Sequence, residues 1–377
     1  MTRRKKSARF VEIAAAAGVS TATVNRVLNE SGSVSAPTRA KVVAAAKRLG
    51  VPRVLPDPRH GLTRFDVILA QSPTPYFRRL ELALQRTAQM LDARIVIHRH
   101  RVDAQDEAQV LAAIGKSSQP GHRRDGLMVA LRDSPAVRQA LREQIASGLP
   151  VVTLMSPIAE VPQLHYAGID NLSAGRTAGH FIGRLAGASQ GAPDGVHPAG
   201  QVLLLTHSLS YRAHAERMLG CQQVLAQRHP QLAVSAPVEC LDDADRCHLA
   251  VQRALLTARG NGRPLVAIYH SGAGTGGVAS ALQQAGAGLP HIAWIGHELS
   301  DDHRRWLQQG LLDLVIDQDP DGQIVAGLQH LLHACGYVEQ AAPTEPNEFR
   351  LFCAENLRRP TPYLDAPLAA PLDKIVR

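Results

Sequence analysis

Apolar residues in the first fifty positions recur at intervals of three and four, the period of an amphipathic helix. Ile13 and Ala14 mark a short helix over 10–17, and Val24, Val27 and Leu28 mark a second over 21–28. Val42, Val43, Ala46 and Leu49 form the buried stripe of a third. Polar punctuation fits these limits. Gly18 falls where a left-handed C-terminal cap is needed, Val19 reads as a buried hinge residue, and Ser20 is a good N-cap for the second helix. Residues 29–33 are a turn cluster. Ser35 caps the third helix, with Pro37 tolerated in its first turn.

From Phe65 onward the pattern changes to short, fully apolar runs separated by amphipathic helices. The runs are 67–70, 95–98, 126–130 and 151–154, with helices near 80–90, 108–114 and 136–146 between them. After Ile169 a second series begins. It has helices near 174–185, 213–227, 249–258 and 278–285, and runs at 202–205, 265–269 and 292–296. Wholly apolar strands alternating with helices indicate parallel sheets covered on both faces. The expected fold class is α/β: an N-terminal all-α helix-turn-helix head followed by two doubly wound parallel lobes facing each other across a cleft. The division is a head at 1–50, a proline-rich linker at 51–63 and a two-lobed body at 64–377. The Gly/Pro-rich stretch 189–200 reads as an exposed loop.

Composition and charge sharpen this picture. Hydrophobic residues make up 45% of the 377 positions but aromatics only 4%, so the cores must be mostly Ala, Leu, Val and Ile. The net charge is +8, and residues 1–53 alone carry eleven Lys or Arg against two Glu. A basic head on a nearly neutral body points to a polyanionic partner, against the plainer alternative of a tail that aids solubility. The five cysteines are odd in number and lack metal-ligand spacing, which suits small core residues in a reducing compartment. No apolar run has the length of a signal-peptide core or a membrane span, so a cytoplasmic protein is expected.

Two short helices joined by a glycine turn, braced by a third, is the helix-turn-helix plan. It needs short polar residues in the first turn of the second helix, and Ser20, Thr21, Thr23 and Arg26 meet that demand. The segments VEIAAAAGVSTATVNRVLN and VSAPTRAKVVAAAKRLG resemble the DNA-binding head of the lactose-repressor (LacI/GalR) family. The resemblance implies base contacts from Thr21, Ala22 and Arg26. It implies phosphate contacts from Ser20, Thr23, Asn25, Asn29 and Thr38, with Asn25 standing where serine is usual. Thr21 and Ala22 are short, so Arg26 should dominate direct readout, an arginine on guanine being worth about 1–3 kcal/mol of discrimination. Relatives continue into a hinge helix. Here Pro52, Pro56 and Pro58 argue for an extended linker, with Arg53 and Arg59 on phosphates and Leu55 a weaker candidate for a minor-groove wedge.

The body resembles the same family, whose core is similar to a periplasmic sugar-binding protein. The markers are GIDNLSAGRTAGHFI, SLSYRAHAERMLG, IGHELS and VIDQDP. The resemblance implies an effector site built from Tyr76, Phe77, Arg217, Ser271, Glu298 and Gln318, with Glu298 where aspartate is usual. Carboxylate, amide and guanidinium groups suit sugar or polyol hydroxyls, because each makes directional bonds. Met155 and Ser156 replace a ligand-binding aspartate of many relatives, which speaks against an ordinary hexose. Asp170 and Asn171 read as caps of the helix at Ser173.

Rival chemistry is weaker. Gly272, Gly274 and Gly277 satisfy the dinucleotide fingerprint, with Glu298 some twenty residues on, but lie late in the chain. His297-Glu298 begins a metalloprotease motif that Asp301 ends, and Ser208 and Ser210 lack a nucleophile elbow. No cofactor and no metal are expected. The reading is a non-enzymatic, homodimeric regulator, a repressor of a double-stranded DNA operator tuned by a sugar or polyol effector. Its heads would lie about one helical turn apart on a near-palindrome. The alternatives are a stand-alone solute-binding protein and a nicotinamide-dependent oxidoreductase.

Overall fold

The computed structural model describes residues 10–31, 34–51, 55, 62–119, 121–122, 124–188, 199–286 and 288–358. The head comprises α1 (Phe10–Ala17), α2 (Thr21–Asn29) and α3 (Ala36–Arg48). Ile13, Val24, Val27, Leu28, Val42, Val43, Ala45 and Ala46 form its core. Gly18 turns the chain at φ +65°, and Ser20 Oγ accepts from Thr23 N at 3.1 Å to cap α2. Two expected core positions differ. Val19 is only partly buried, and Leu49 is 39% exposed because α3 ends at Arg48 and Ala45 takes the inner position. Leu55 also packs partly on the head core, which does not favour a wedge role; Pro52, Arg53, Pro56, Pro58 and Arg59 lie outside the described residues.

The N-terminal lobe is built on β1 (Thr63–Ala70), α4 (Pro75–Met90), β2 (Ile95–Val102), α5 (Glu107–Lys116), β3 (Gly126–Ala130), α6 (Pro135–Ala146), β4 (Val151–Leu154) and β5 (His165–Ala167). Its parallel sheet has the order β2-β1-β3-β4-β5. Alternation along β1 places Val67 and Leu69 in one core layer and Ile68 in the other. The strand begins earlier than its apolar run because pairing continues beneath Asp66. This wholly buried carboxylate accepts from Ser117 at 2.6 Å and Arg124 at 2.7 Å, with His100 at 2.9 Å. Burial alone would raise its pKa, but these three partners hold it at about 2.

The C-terminal lobe follows with α7 (Asn171–Ala188), β6 (Gly200–Thr206), α8 (Arg212–Arg228), β7 (Leu232–Val234), β8 (Val238–Glu239), α9 (Ala244–Asn261), β9 (Leu265–His270), α10 (Thr275–Ala285), β10 (Ala293–His297), α11 (Asp301–Gln308) and β11 (Leu314–Asp317). The chain then returns to the first lobe. Ile324, Leu328 and Leu331 of α12 (Pro320–Ala334) complete the core over β1 and β4. It crosses back to add β12 (Arg350–Phe352), antiparallel to β11, so the second sheet is parallel except at this edge. The order is β12-β11-β10-β9-β6-β7. In both sheets the strand order reverses beside the first strand of the lobe, where parallel sheets open a crevice at their C-terminal ends.

Candidate functional site

On the head, Thr21, Ala22, Asn25, Arg26 and Asn29 are exposed and recur on one face of α2. Asn29 Nδ2 donates to Asn25 Oδ1 at 2.6 Å, which ties two of these side chains together. Thr23 is partly buried, and its hydroxyl lies 2.9 Å from Ser20 Oγ at the cap. Thr38 lies apart from this face, in the first turn of α3, its backbone N–H donating to Ser35 Oγ at 3.4 Å. The C-cap of α2 is Glu30, in left-handed conformation. Its carboxylate accepts from Leu62 N at 2.6 Å and pairs with Arg64 at 2.8 Å, docking the head on β1.

Tyr76, Phe77, Arg217, Ser271, Glu298 and Gln318 come together around one cavity of about 210 Å³ between the lobes. Five follow a strand end: Tyr76 and Phe77 enter α4 shortly after β1, Ser271 follows β9, Glu298 follows β10, and Gln318 follows β11 at the crossing to α12. Each lobe gives a different wall. Pro75, Tyr76, Phe77 and Met155 of the first are largely apolar, while the second adds His214, His297 and His303. Met155 and Glu298 hold φ of 63° and 66°, left-handed values that side chains rarely adopt; such strain gathers at binding sites.

Arg217 reaches the wall because α7 and α8 touch backbone to backbone. A Cβ on Gly175 would lie 2.0 Å from Arg217 O, and one on Gly220 would lie 2.2 Å from Leu172 O. The Arg217 side chain, 2% exposed, donates from Nε to Asn171 Oδ1 at 2.8 Å and from Nη1 to Ser271 O at 3.3 Å. Asp170 caps α7 through Ser173 N at 2.9 Å, as its position suggested. Asn171 instead begins the helix and holds Arg217.

A hydrogen-bonded relay joins the two walls. Tyr76 Oη donates to Gln323 Oε1 at 2.7 Å, Gln323 Nε2 donates to Gln318 O at 3.1 Å, and Gln318 Nε2 donates to Glu298 Oε1 at 2.6 Å. Behind it Arg79 makes a two-point contact with Asp317 and lies 3.6 Å from Glu298 Oε2. Burial, with Asp317 as neighbour, pushes the Glu298 carboxyl up to about 7 against the pull of Arg79 and Arg217. Burial lowers the neighbouring imidazoles, helped by Arg217 at two of them: His214 to about 3, His303 to about 4, and His297 also strongly downward. Arg217 Nη2, Glu298 Oε2, Gln318 Oε1 and His297 Nδ1 have no hydrogen-bond partner. Buried polar atoms are rarely left so, and four on residues of one cavity wall suit a polar ligand.

Arg79, His214, His303 and Gln323 were not singled out from the sequence, and His297 entered only as the start of a metal motif that Asp301 ends. His214 carried a signal, lying three residues before Arg217 on the same helix face. The glycine fingerprint has a packing cause: a Cβ on Gly277 would lie 1.8 Å from Ala244 O, where α10 meets α9. Among the described residues no group of His, Cys, Asp and Glu is placed to hold a metal ion, and no helix is long and apolar enough to cross a membrane.

Two family models match the chain. One, described as periplasmic binding protein domain, matches residues 65–335; the other, described as bacterial regulatory proteins, lacI family, matches residues 10–51. The ribose import binding protein of Escherichia coli is 27% identical over 257 residues, covering 68% of this chain and 79% of its own length. A solute-binding protein of Actinobacillus succinogenes solved with D-allose superposes with a TM-score of 0.66 at 16% identity, covering 78% of this chain and 98% of its own. One from Bacillus halodurans solved with myo-inositol gives 0.66 at 16% identity, covering 79% and 96%. These superpositions show a shared fold.

Proposed function

Because this chain belongs to the periplasmic binding protein domain family and carries a lacI-type head before that domain, the LacI/GalR-type architecture, we propose that it represses transcription at a specific DNA operator under control of a small-molecule effector. The carrying observation is the solvent-facing side of α2, with Thr21, Ala22, Asn25, Arg26 and Asn29 exposed on a strongly basic head. Arg26 reads a base edge. Thr21 and Ala22 lie against neighbouring bases, and Ser20, Thr23, Asn25, Asn29 and Thr38 hold phosphates. Residues 1–50 act as the head and 64–377 as the sensing body, joined by 51–63. Two copies place two heads on the half-sites of a near-palindrome, and the protein works in the cytoplasm, where the operator is.

The effector occupies the cavity between the lobes, against Tyr76, Phe77, Arg217, Ser271, Glu298 and Gln318. A hydroxylated ligand of the sugar or polyol class satisfies the four polar atoms that lack a hydrogen-bond partner. It changes operator affinity only as far as it favours one arrangement of the lobes over another. The head distinguishes this reading from a stand-alone solute-binding protein. The packing role of Gly277 removes the need for a nucleotide to explain the glycine fingerprint, and the body is not assigned an enzymatic activity. The test is selection of bound duplexes from a random pool, followed by titration of the selected sequence with and without cleft ligands. A selected duplex whose affinity moves at least five-fold with a ligand supports the reading. Failure to enrich any sequence contradicts its DNA-binding half.

A further inference from the structure

The charge inventory of the cavity is unbalanced around Arg217. Its guanidinium is almost wholly buried, and both of its hydrogen-bond acceptors, Asn171 Oδ1 and Ser271 O, are neutral. Among the described residues no carboxylate lies within 4.0 Å of it. The nearby acids are committed elsewhere. Asp317 is taken by Arg79, and Asp242 lies 3.0 Å from His207 Nδ1 and accepts from Ala273 N at 2.7 Å. Glu298 gives one oxygen to Gln318 and holds the other 3.6 Å from Arg79, and burial raises its pKa, which disfavours its charged form. The imidazoles of His214, His297 and His303 are held neutral, so they offer Arg217 no counter-charge. A buried cation lacking a contacting anion is a costly arrangement, and a bound anion relieves it.

A second feature lies at the same place. Ser271, whose carbonyl Arg217 holds, leads into the Gly272–Gly274 turn, and α10 opens there with Gly274 as its N-cap and no side-chain cap. Thr275 and Gly276 line the cavity, so uncapped amides and the positive end of the helix face the same side as Arg217. The opposite wall gives no such welcome to charge. It is Pro75, Tyr76, Phe77 and Met155, with the Tyr76 hydroxyl already donated to Gln323.

Resting on the proposed effector role of this cavity, we infer that its ligand is a hydroxylated carboxylic acid rather than a neutral sugar. The carboxylate pairs with Arg217 Nη2 beside the N-terminus of α10. The hydroxyls meet Glu298 and Gln318, and the carbon skeleton lies against Phe77 and Met155. One free guanidinium nitrogen in a cavity of about 210 Å³ suits a singly charged carboxylate better than a doubly charged phosphate ester.

The experiment is calorimetric titration of the full chain with matched sets sharing one carbon skeleton. Each set holds a neutral aldose or polyol, its aldonate or uronate, the primary amide of that acid, and its phosphate ester. The tightest binder is expected to be a carboxylate, at least ten-fold tighter than its neutral counterpart and than its amide, which keeps the shape and loses the charge. Arg217→Met is expected to bring acid and amide within three-fold of each other. The comparison of acid with amide in wild-type protein holds even if that variant fails to fold. A neutral sugar, an amide or a phosphate ester binding as tightly as the acid overturns the inference and leaves the effector role standing. Binding by no member of any set overturns both, while the DNA-binding role is read separately from operator titration.

Discussion

Arg79 of α4 grips Asp317 at the end of β11, Nη2 donating to Oδ1 at 3.1 Å and Nη1 to Oδ2, so that one ion pair spans the N-terminal and C-terminal lobes behind the candidate site. Asp317 is 1% exposed and its carboxyl also accepts from Leu299 N at 2.8 Å and Asp319 N at 2.9 Å. Burial would raise its pKa, but Arg79 outweighs that and keeps it below the usual carboxylate range.

Removing one partner of a buried pair strands the other, at about 3–5 kcal/mol when both are fully enclosed. Arg79 is 28% exposed, so about 2 kcal/mol is expected for Arg79→Met, read as a fall of several degrees in Tm. The double variant Arg79→Met with Asp317→Asn should recover part of that loss. A double variant as unstable as the summed single variants would show that the two groups are not coupled.

Glu298 gives a pH dependence with a definite sign. Its folded pKa of about 7 lies above the ordinary 4.5, so the unfolded chain releases this proton first as pH rises. Stability is therefore lost between about pH 4.5 and 7 and stays lost above. Glu298→Gln, which cannot ionise, should match wild type at pH 4.5 and be more stable at pH 8 by on the order of 2 kcal/mol. Denaturant unfolding at the two pH values checks this, and a difference independent of pH would refute the titration. The same variant should lose effector response while leaving operator affinity unchanged without ligand.

The contact of α7 with α8 sets the position of Arg217. Gly175→Ala places a methyl group 2.0 Å from the Arg217 carbonyl, so the helices must part and the guanidinium must move. Overpacking of this kind costs about 1–3 kcal/mol. Cleft-ligand affinity should fall at least ten-fold, with operator affinity in the absence of ligand unchanged. Calorimetry alongside operator titration separates the two, and unaltered ligand affinity would show that Arg217 does not bind it.

What was legible in the sequence followed from local pattern. The helices of the head declare themselves by period and cap, while Tyr76, Ser271, Glu298 and Gln318 are named through the resemblance to the LacI/GalR family, and their places behind strands are where parallel sheets open their crevices. What was illegible depends on contacts between distant segments. Arg79 looks like any helix charge until Asp317, 238 positions away, is beside it. The apolar stripe of α12 marks a helix but not its return to the first lobe, and β12 has too few residues to show a period. Asp66 interrupts an apolar strand and is accommodated only because Ser117, Arg124 and His100 converge on it.

The direct measurement is a footprinting titration of duplex DNA by the full chain, wild type beside Arg26→Ala, against the selected site and a scrambled duplex of equal length. Wild-type protein is expected to protect two half-sites about one helical turn apart, and Arg26→Ala to need at least ten-fold more protein while keeping the wild-type circular dichroism. Equal affinity for the two duplexes, or no protected site at any protein concentration with or without cleft ligand, contradicts a DNA-reading role for α2.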